Sequence, residues 1–363
     1  MAAPFENVKS YQGISAARLE QMEQRLKDDV LLEGVALGGL VLVHEEVECQ
    51  KLIPVWMAID HIQTTKEVFQ TMAAEFNVRY VRLPISPEQS PEESYIDTFI
   101  LALTQQASLH DPVVINCGMG VGRTTFLMLI GLLIRNAQIL ATTPNNMREP
   151  NTNIPAHAAL VNLAKTKSTL RLLNLLENAL SKKSLKGSIA EWAMPRTAIL
   201  GEIEAVMEGN WVCVTQLLGI LTNGQETKRK LDRAIDKCNM LINLREVILK
   251  YRVIFYVTGD DSILSKAVGF LNRYLFLLTF CSFLDEQGVD NTLVFSSWLK
   301  GRPELVNIIN QVGQTTLKLT AFRPLEDLSS LFDDFEVSKT EKSWPIDMEL
   351  NPNELQAYTV KVR

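Results

Sequence analysis

Cys117 and Arg123 stand six positions apart, with Thr124 directly after and glycines at 118, 120 and 122 between them. That spacing suits a thiolate nucleophile held in an anion cradle. A phosphate monoester carries roughly two negative charges near neutral pH, so its site needs many donors and a fixed cation. None of residues 118 to 123 is proline, so a tight loop can turn each backbone N–H inward. The phosphate-binding set is therefore Gly118, Met119, Gly120, Val121, Gly122 and Arg123. The glycines permit backbone angles that a Cβ disfavours, and Arg123 offers a planar fork for two oxygens. A helix expected to start at Thr124 aims its positive end at the same point. In such a field a cysteine pKa falls from about 8.5 to roughly 3.5–7.5. The thiolate of Cys117 could then attack phosphorus and form a phosphocysteine. Thr124 is placed to donate a hydrogen bond to the sulfur as it leaves.

Rival loops fit less well. The nucleotide P-loop needs Gly where Cys117 stands and Lys where Arg123 stands. The dinucleotide fingerprint fails because its third glycine comes one residue early. A glycine-rich turn around a buried structural cysteine would not require Arg and Thr at these offsets.

The elements that must position the loop come from the first half of the chain, where strand and helix signals alternate. Helices are expected over 16–33, with Ser15 as N-cap, over 65–76, and over 91–108 with Pro at its start. Strands are expected at 37–44, 52–58, 78–83 and 113–116, the last a buried strand that delivers Cys117. A helix from Thr124 to about Leu140 is apolar nearly all round and should run through the middle of the domain. The alternation predicts an α/β fold with a mixed or parallel sheet. Residues 141–155 hold three prolines and should form a linker or surface loop. Beyond it the pattern turns helical, at about 156–182, 197–207, 210–221, 225–256, 260–285 and 302–316. The domain reading is thus 1–140 for the phosphate-loop domain, 156–335 for a helical region and 336–363 for a polar tail.

Bulk composition narrows the partners. The chain has 363 residues, 47% hydrophobic and 21% charged, which is a soluble globular composition with ample core. The net charge is −6, and residues 1–140 hold 10 Lys plus Arg against 17 Asp plus Glu. Without a basic field, nucleic acid is not an expected partner. No transmembrane span is expected, because the densest apolar run is short and Arg273 interrupts the stretch near 269–283. The N-terminus lacks a basic flank and an apolar core, so no secretory signal is expected. Five scattered cysteines without metal-type spacing fit a reducing, cytoplasmic setting with neither metal nor cofactor.

Four further segments carry a family resemblance. They are 13–27 (Gly-Ile-Ser-Ala-Ala-Arg-Leu-Glu-Gln-Met-Glu-Gln-Arg-Leu-Lys), 38–46 (Gly-Gly-Leu-Val-Leu-Val-His-Glu-Glu), 80–85 (Tyr-Val-Arg-Leu-Pro-Ile) and the helical 230–246. With the loop at 117–125 they resemble the paladin-like, cysteine-phytase-related branch of tyrosine-phosphatase-like phosphatases, over most of residues 5 to 320. The resemblance implies a tyrosine-phosphatase-like sheet with flanking helices and a mostly α-helical C-terminal region. It implies a phosphorylated small molecule, lipid headgroup or phosphoprotein as partner, with inositol phosphates, phosphoinositides and phosphotyrosine as substrate classes. Such proteins carry several repeats in tandem, whereas this chain holds one loop and opens on what resembles a join, so a longer parent with further repeats is expected. By position Cys117 would be the nucleophile, Arg123 the clamp and Thr124 the aid to the departing thiolate.

Two departures matter. The wider pattern has His directly before the Cys, and here Asn116 stands there. It also has an Asp general acid about thirty residues upstream, where this chain reads Pro84-Ile85-Ser86-Pro87-Glu88-Gln89-Ser90-Pro91-Glu92-Glu93. Glu88, 29 positions before Cys117, is the best stand-in, and the same position equally fits a solvated loop glutamate. Three readings stay open: a cysteine-dependent phosphatase, a phosphate-binding pseudophosphatase scaffold without an efficient acid, and a purely structural repeat whose helical half binds a protein partner. Lys66, Arg79 and Arg82 are candidates for further phosphate contacts, although single surface charges are common. The basic stretch Lys228, Arg229, Lys230, Arg233 and Lys237 is interspersed with Glu226, Asp232 and Asp236, which favours a solvated, self-paired face.

Overall fold

A computed structural model describes residues 14–47, 51–59, 61–86, 90–105, 107–118, 120–142, 173–174, 177, 209, 211–238, 242–288 and 294–318. Packing divides the chain into two units, Met1–Ser86 with Pro91–Ala102, and Pro87–Ser90 with Leu103–Arg363. The phosphate loop therefore groups with the helical half, whereas the sequence pattern places a boundary at 140.

The first unit begins with α1 (Ala16–Ala36), capped by Ser15, whose Oγ accepts from the Arg18 N–H at 3.2 Å. Gly38 and Gly39, at φ +70° and +89°, turn the chain back into β1 (Leu40–Val47). This strand pairs antiparallel with β2 (Lys51–Ala58), Leu42 opposite Trp56 and Val43 opposite Val55. Next comes α2 (Thr65–Phe76), started by a full capping box: Thr64 Oγ1 accepts from the Glu67 N–H, and Glu67 accepts from the Thr64 N–H. Asn77 ends it in the left-handed region. Helix α3 (Glu93–Thr104) follows.

Two expected strands are absent, and the sheet prediction is corrected accordingly. Among the described residues the only ladder is the β1–β2 hairpin, neither mixed nor parallel. Residues 78–83 find partners on helices instead: Tyr80 stacks on Phe69 of α2, centroids 4.4 Å apart, and Arg82 bonds Glu23 of α1 at 2.5 Å. Residues 113–116 are not the buried strand that their apolar run predicts, since Val113 is 44% and Val114 90% exposed. A hairpin closes across a few residues, whereas parallel pairing needs distant contacts whose loop entropy a short apolar run does not encode.

The second unit is helical. It contains α4 (Gly122–Thr142), α5 (Val212–Ile220), α6 (Gly224–Lys237), α7 (Leu244–Thr258) and α8 (Asp261–Gln287). Three shorter helices follow, α9 (Phe295–Lys300), α10 (Pro303–Gln311) and α11 (Gln314–Lys318). The single helix expected over 225–256 is broken because Asn243 caps a new one, its side chain accepting from the Arg245 N–H at 3.0 Å. The unanticipated α9 brings Phe295 and Trp298 into an aromatic cluster with Phe276, Phe280 and Phe283 of α8. Helices expected at 156–182 and 197–207 fall outside the described residues, except for 173, 174 and 177, which are helical. Residues 143–155 and the tail also fall outside.

Helices α4 and α8 are long and apolar enough to cross a membrane, contrary to the expectation that no segment is. Within the fold 78% of the apolar window of α8 is buried by protein, the pattern of a core helix, against 44% of that of α4.

Candidate active site

The loop and its helix form one local device. The Gly120 N–H donates to the Cys117 carbonyl at 3.3 Å, closing a turn in which Gly120 takes φ +70°. Val121 is 5% exposed and roots the loop in the core. Its carbonyl accepts from both the Thr125 N–H, at 2.9 Å, and the Thr125 hydroxyl, at 2.7 Å, which pins the first turn of α4. That helix starts at Gly122, two residues earlier than expected, so Arg123 lies inside its first turn. The side chain of Arg123 folds back over the loop, Nη2 coming 3.5 Å from where a Cβ on Gly118 would sit. Cys117 is half-buried and outside any disulfide. Thr124 is 5% exposed, and its Oγ1 is buried without a hydrogen-bond partner among the described residues. A thiol, a guanidinium, a helix N-terminus and an uncommitted hydroxyl thus share one short stretch of chain.

The comparisons come to the same stretch. Residues 1–135, which hold the whole loop, match the family model PTPlike_phytase, described by the words "inositol hexakisphosphate". Paladin of Danio rerio is 24% identical over 345 residues, covering 87% of this chain and 34% of that protein. Paladin of Homo sapiens is 26% identical over 270 residues, covering 69% and 26% respectively. The chain is similar to paladins over most of its length and to the PTP-like phytase family over residues 1–135, which supports a paladin-like, PTP-like phosphatase family. It spans about a quarter to a third of the length of these paladins. No solved structure matches it.

Not every site residue expected of a paladin-like chain can be placed. Glu88 and Met119 lie outside the described residues. Cys117, Gly118, Gly120, Val121, Gly122, Arg123 and Thr124 are contiguous in one unit. Two other described cysteines differ from Cys117 in setting: burial pushes Cys213 up to about 11 and Cys281 to about 12, so neither forms a thiolate readily. Asp111, close in sequence, is tied into a turn by the Ser108 N–H at 2.8 Å and the Ser108 hydroxyl at 3.0 Å. Among the described residues no cluster of His, Cys, Asp or Glu could hold a metal.

Several outlying cations are engaged with carboxylates. Lys66 pairs with Glu20 at 2.8 Å and Lys27 with Glu67 at 2.8 Å, which together with Arg82–Glu23 lace α1 to its neighbours. In the helical half Lys228 pairs with Asp232, Arg229 with Glu226 and Lys230 with Asp285. What sequence reasoning missed is the support beneath the loop. Thr125 could have been suspected as a residue that bonds back to the preceding turn.

Two outcomes follow from these contacts. Gly120→Ala forces a side chain into the left-handed region, at about 1–2 kcal/mol, while Gly122 has helical backbone and nothing within 4 Å of an added Cβ. Urea melts should show a clear loss for Gly120→Ala and little change or a slight gain for Gly122→Ala; equal melts would refute the assignment. The second outcome concerns acid. The Arg82 hydrogen bond holds Glu23 below the usual carboxylate range. Its stabilisation is therefore present above the unfolded value and fades as pH falls through the lower folded one. The melting temperature of the parent should drop more steeply than that of Glu23→Gln between pH 6 and 3.

Proposed function

We propose that this chain is a cysteine-dependent phosphomonoesterase, with phosphorylated inositols, phosphoinositides or phosphotyrosine as substrate class, working in a reducing cytoplasmic setting. The observation that carries the reading is the Arg123 guanidinium folded over a glycine loop that presents Cys117 at the N-terminus of a buried helix. Backbone N–H groups and Arg123 bind the phosphoryl oxygens, the Cys117 thiolate attacks phosphorus in line, and the ester oxygen departs with a proton from Glu88 or, where no acid serves, from water. Water then hydrolyses the phosphocysteine, and the Thr124 hydroxyl donates to the sulfur as it leaves.

Asn116 and the missing Asp favour a second reading, a scaffold that binds phosphate without efficient turnover. Lacking an acid costs about 10²–10⁴-fold in rate, or roughly 3–5 kcal/mol, most visible with an inositol alkoxide as leaving group. The experiment is phosphate release across pH 4 to 8 from inositol hexakisphosphate, phosphoinositides and an activated aryl phosphate. Parent, Cys117→Ser and Glu88→Gln are compared. A large drop for Glu88→Gln with the poor leaving groups identifies the acid. Binding that depends on Arg123 without release supports the scaffold.

A further inference from the structure

The longest helix among the described residues, α8, is mostly buried, yet it carries Arg273 in its middle at 1% exposure. Taking a guanidinium out of water costs several kcal/mol before compensation, so a core helix would ordinarily place leucine there. The guanidinium carbon of Arg273 lies 5.8 Å from the ring centroid of Phe126 and 5.2 Å from that of Phe270. Phe126 is fully buried and follows Thr124 by two residues, within the opening turns of α4. At about 1.5 Å of rise per residue, Phe126 is only ~4.5 Å along the axis from Arg123.

The arrangement continues on both sides. Phe126 also meets Phe276 of α8 at 5.9 Å, and Phe270 stacks on Tyr251 of α7 at 5.8 Å. Burial raises the Tyr251 phenol and the charge of Arg273 opposes that rise, so the cation is felt across the stack. The next residue of α8, Tyr274, donates to Asp232 of α6 at 2.8 Å, and Asp232 also receives Lys228 at 2.7 Å. Helix α8 is thereby anchored to α6 through Tyr274 and reaches the loop-bearing helix through Arg273.

We infer that Arg273 is a positioning residue for the phosphate loop: wedged between Phe126 and Phe270, it holds the first turn of α4 so that Arg123 and Thr124 meet the phosphoryl group in register. The inference rests on phosphate binding by the loop, the first half of the proposed function. Arg suits the role because its flat face stacks on rings while it keeps its charge in a dry setting. Small misplacements of such groups are costly, on the order of 10²-fold for about 1 Å.

The test uses the full chain as Arg273→Met, Arg273→Lys and Phe126→Leu beside the parent. Folding is checked by circular dichroism, and rates are taken per folded molecule well below melting. Two quantities are read: phosphate release, and the protection of Cys117 from iodoacetate by inorganic phosphate. Arg273→Met should lose about ten- to a hundredfold in kcat/KM and need correspondingly more phosphate for protection. Arg273→Lys, which restores charge without the flat face, should recover part of both. A residue that merely stabilises the fold would lower melting and leave both quantities at parental values, and that result overturns the inference. If Arg273→Met does not fold, Phe126→Leu decides: it keeps apolar volume, and parental protection in it overturns the inference equally. A parent that releases no phosphate yet shows protection sinks the phosphatase reading alone, and this inference is then judged on protection. A parent without protection sinks both.

Discussion

Cys117→Ser should lose on the order of 10⁴-fold or more in phosphate release, the scale seen when an essential nucleophile is removed. The proposed mechanism uses a Cys117 thiolate, the anion that a helix N-terminus and a nearby cation favour. A serine hydroxyl in the same place stays protonated and is a poor nucleophile for phosphorus. The cradle itself is left intact, since its backbone donors and the fork of Arg123 do not pass through the sulfur. Inorganic phosphate should therefore bind Cys117→Ser within a few fold of the parent, while turnover vanishes. Rapid-quench detection of a phosphorylated protein in the parent, and none in the variant, would secure the covalent step. Release at parental rates from Cys117→Ser would remove the mechanism altogether.

A chain cut after Thr142 should fail to fold, although the family match ends at residue 135 and includes every loop residue. Helix α4 packs against α6 and α8. Phe126, Leu129, Ile130 and Ile134 are fully buried and Leu133 is 6% exposed. Restoring a large apolar side chain to water costs about 1.5–3 kcal/mol, so these five together amount to roughly 7–15 kcal/mol. That equals the entire stability of a typical domain, about 5–15 kcal/mol. The fragment 1–142 is expected to aggregate, read by solubility on expression and by size exclusion. A monomeric, cooperatively melting fragment that protects Cys117 with phosphate would show that the loop needs no helical support.

Local devices are legible in the amino-acid sequence alone. The loop lies within nine residues, so its donors, cation and nucleophile can be read directly from Cys117 to Thr125. A helix start is legible where a capping side chain marks it, as at Ser15, because the cap bonds to backbone only three residues away. Mismatches gather where partners are distant. Val113 and Val114 look like a buried strand by apolarity alone, but burial depends on what covers a segment, and here they are exposed. The run 78–83 is expected as a strand, yet Tyr80 and Arg82 are taken up by Phe69 and Glu23.

By itself, then, the sequence determined the glycine-rich loop between Cys117 and Arg123, the roles proposed for Cys117, Arg123 and Thr124, and the long apolar helix behind them. These depend on spacing along the chain, which folding does not alter. Only the tertiary structure decided that the loop groups with the helical half, that the described sheet is a lone hairpin, and that a buried arginine faces a ring of the loop-bearing helix. Arg273 is separated from Phe126 by 147 residues, and no local pattern signals a contact across that distance. The charge of a single arginine on an apolar helix looks like an interruption until the ring that it faces is known.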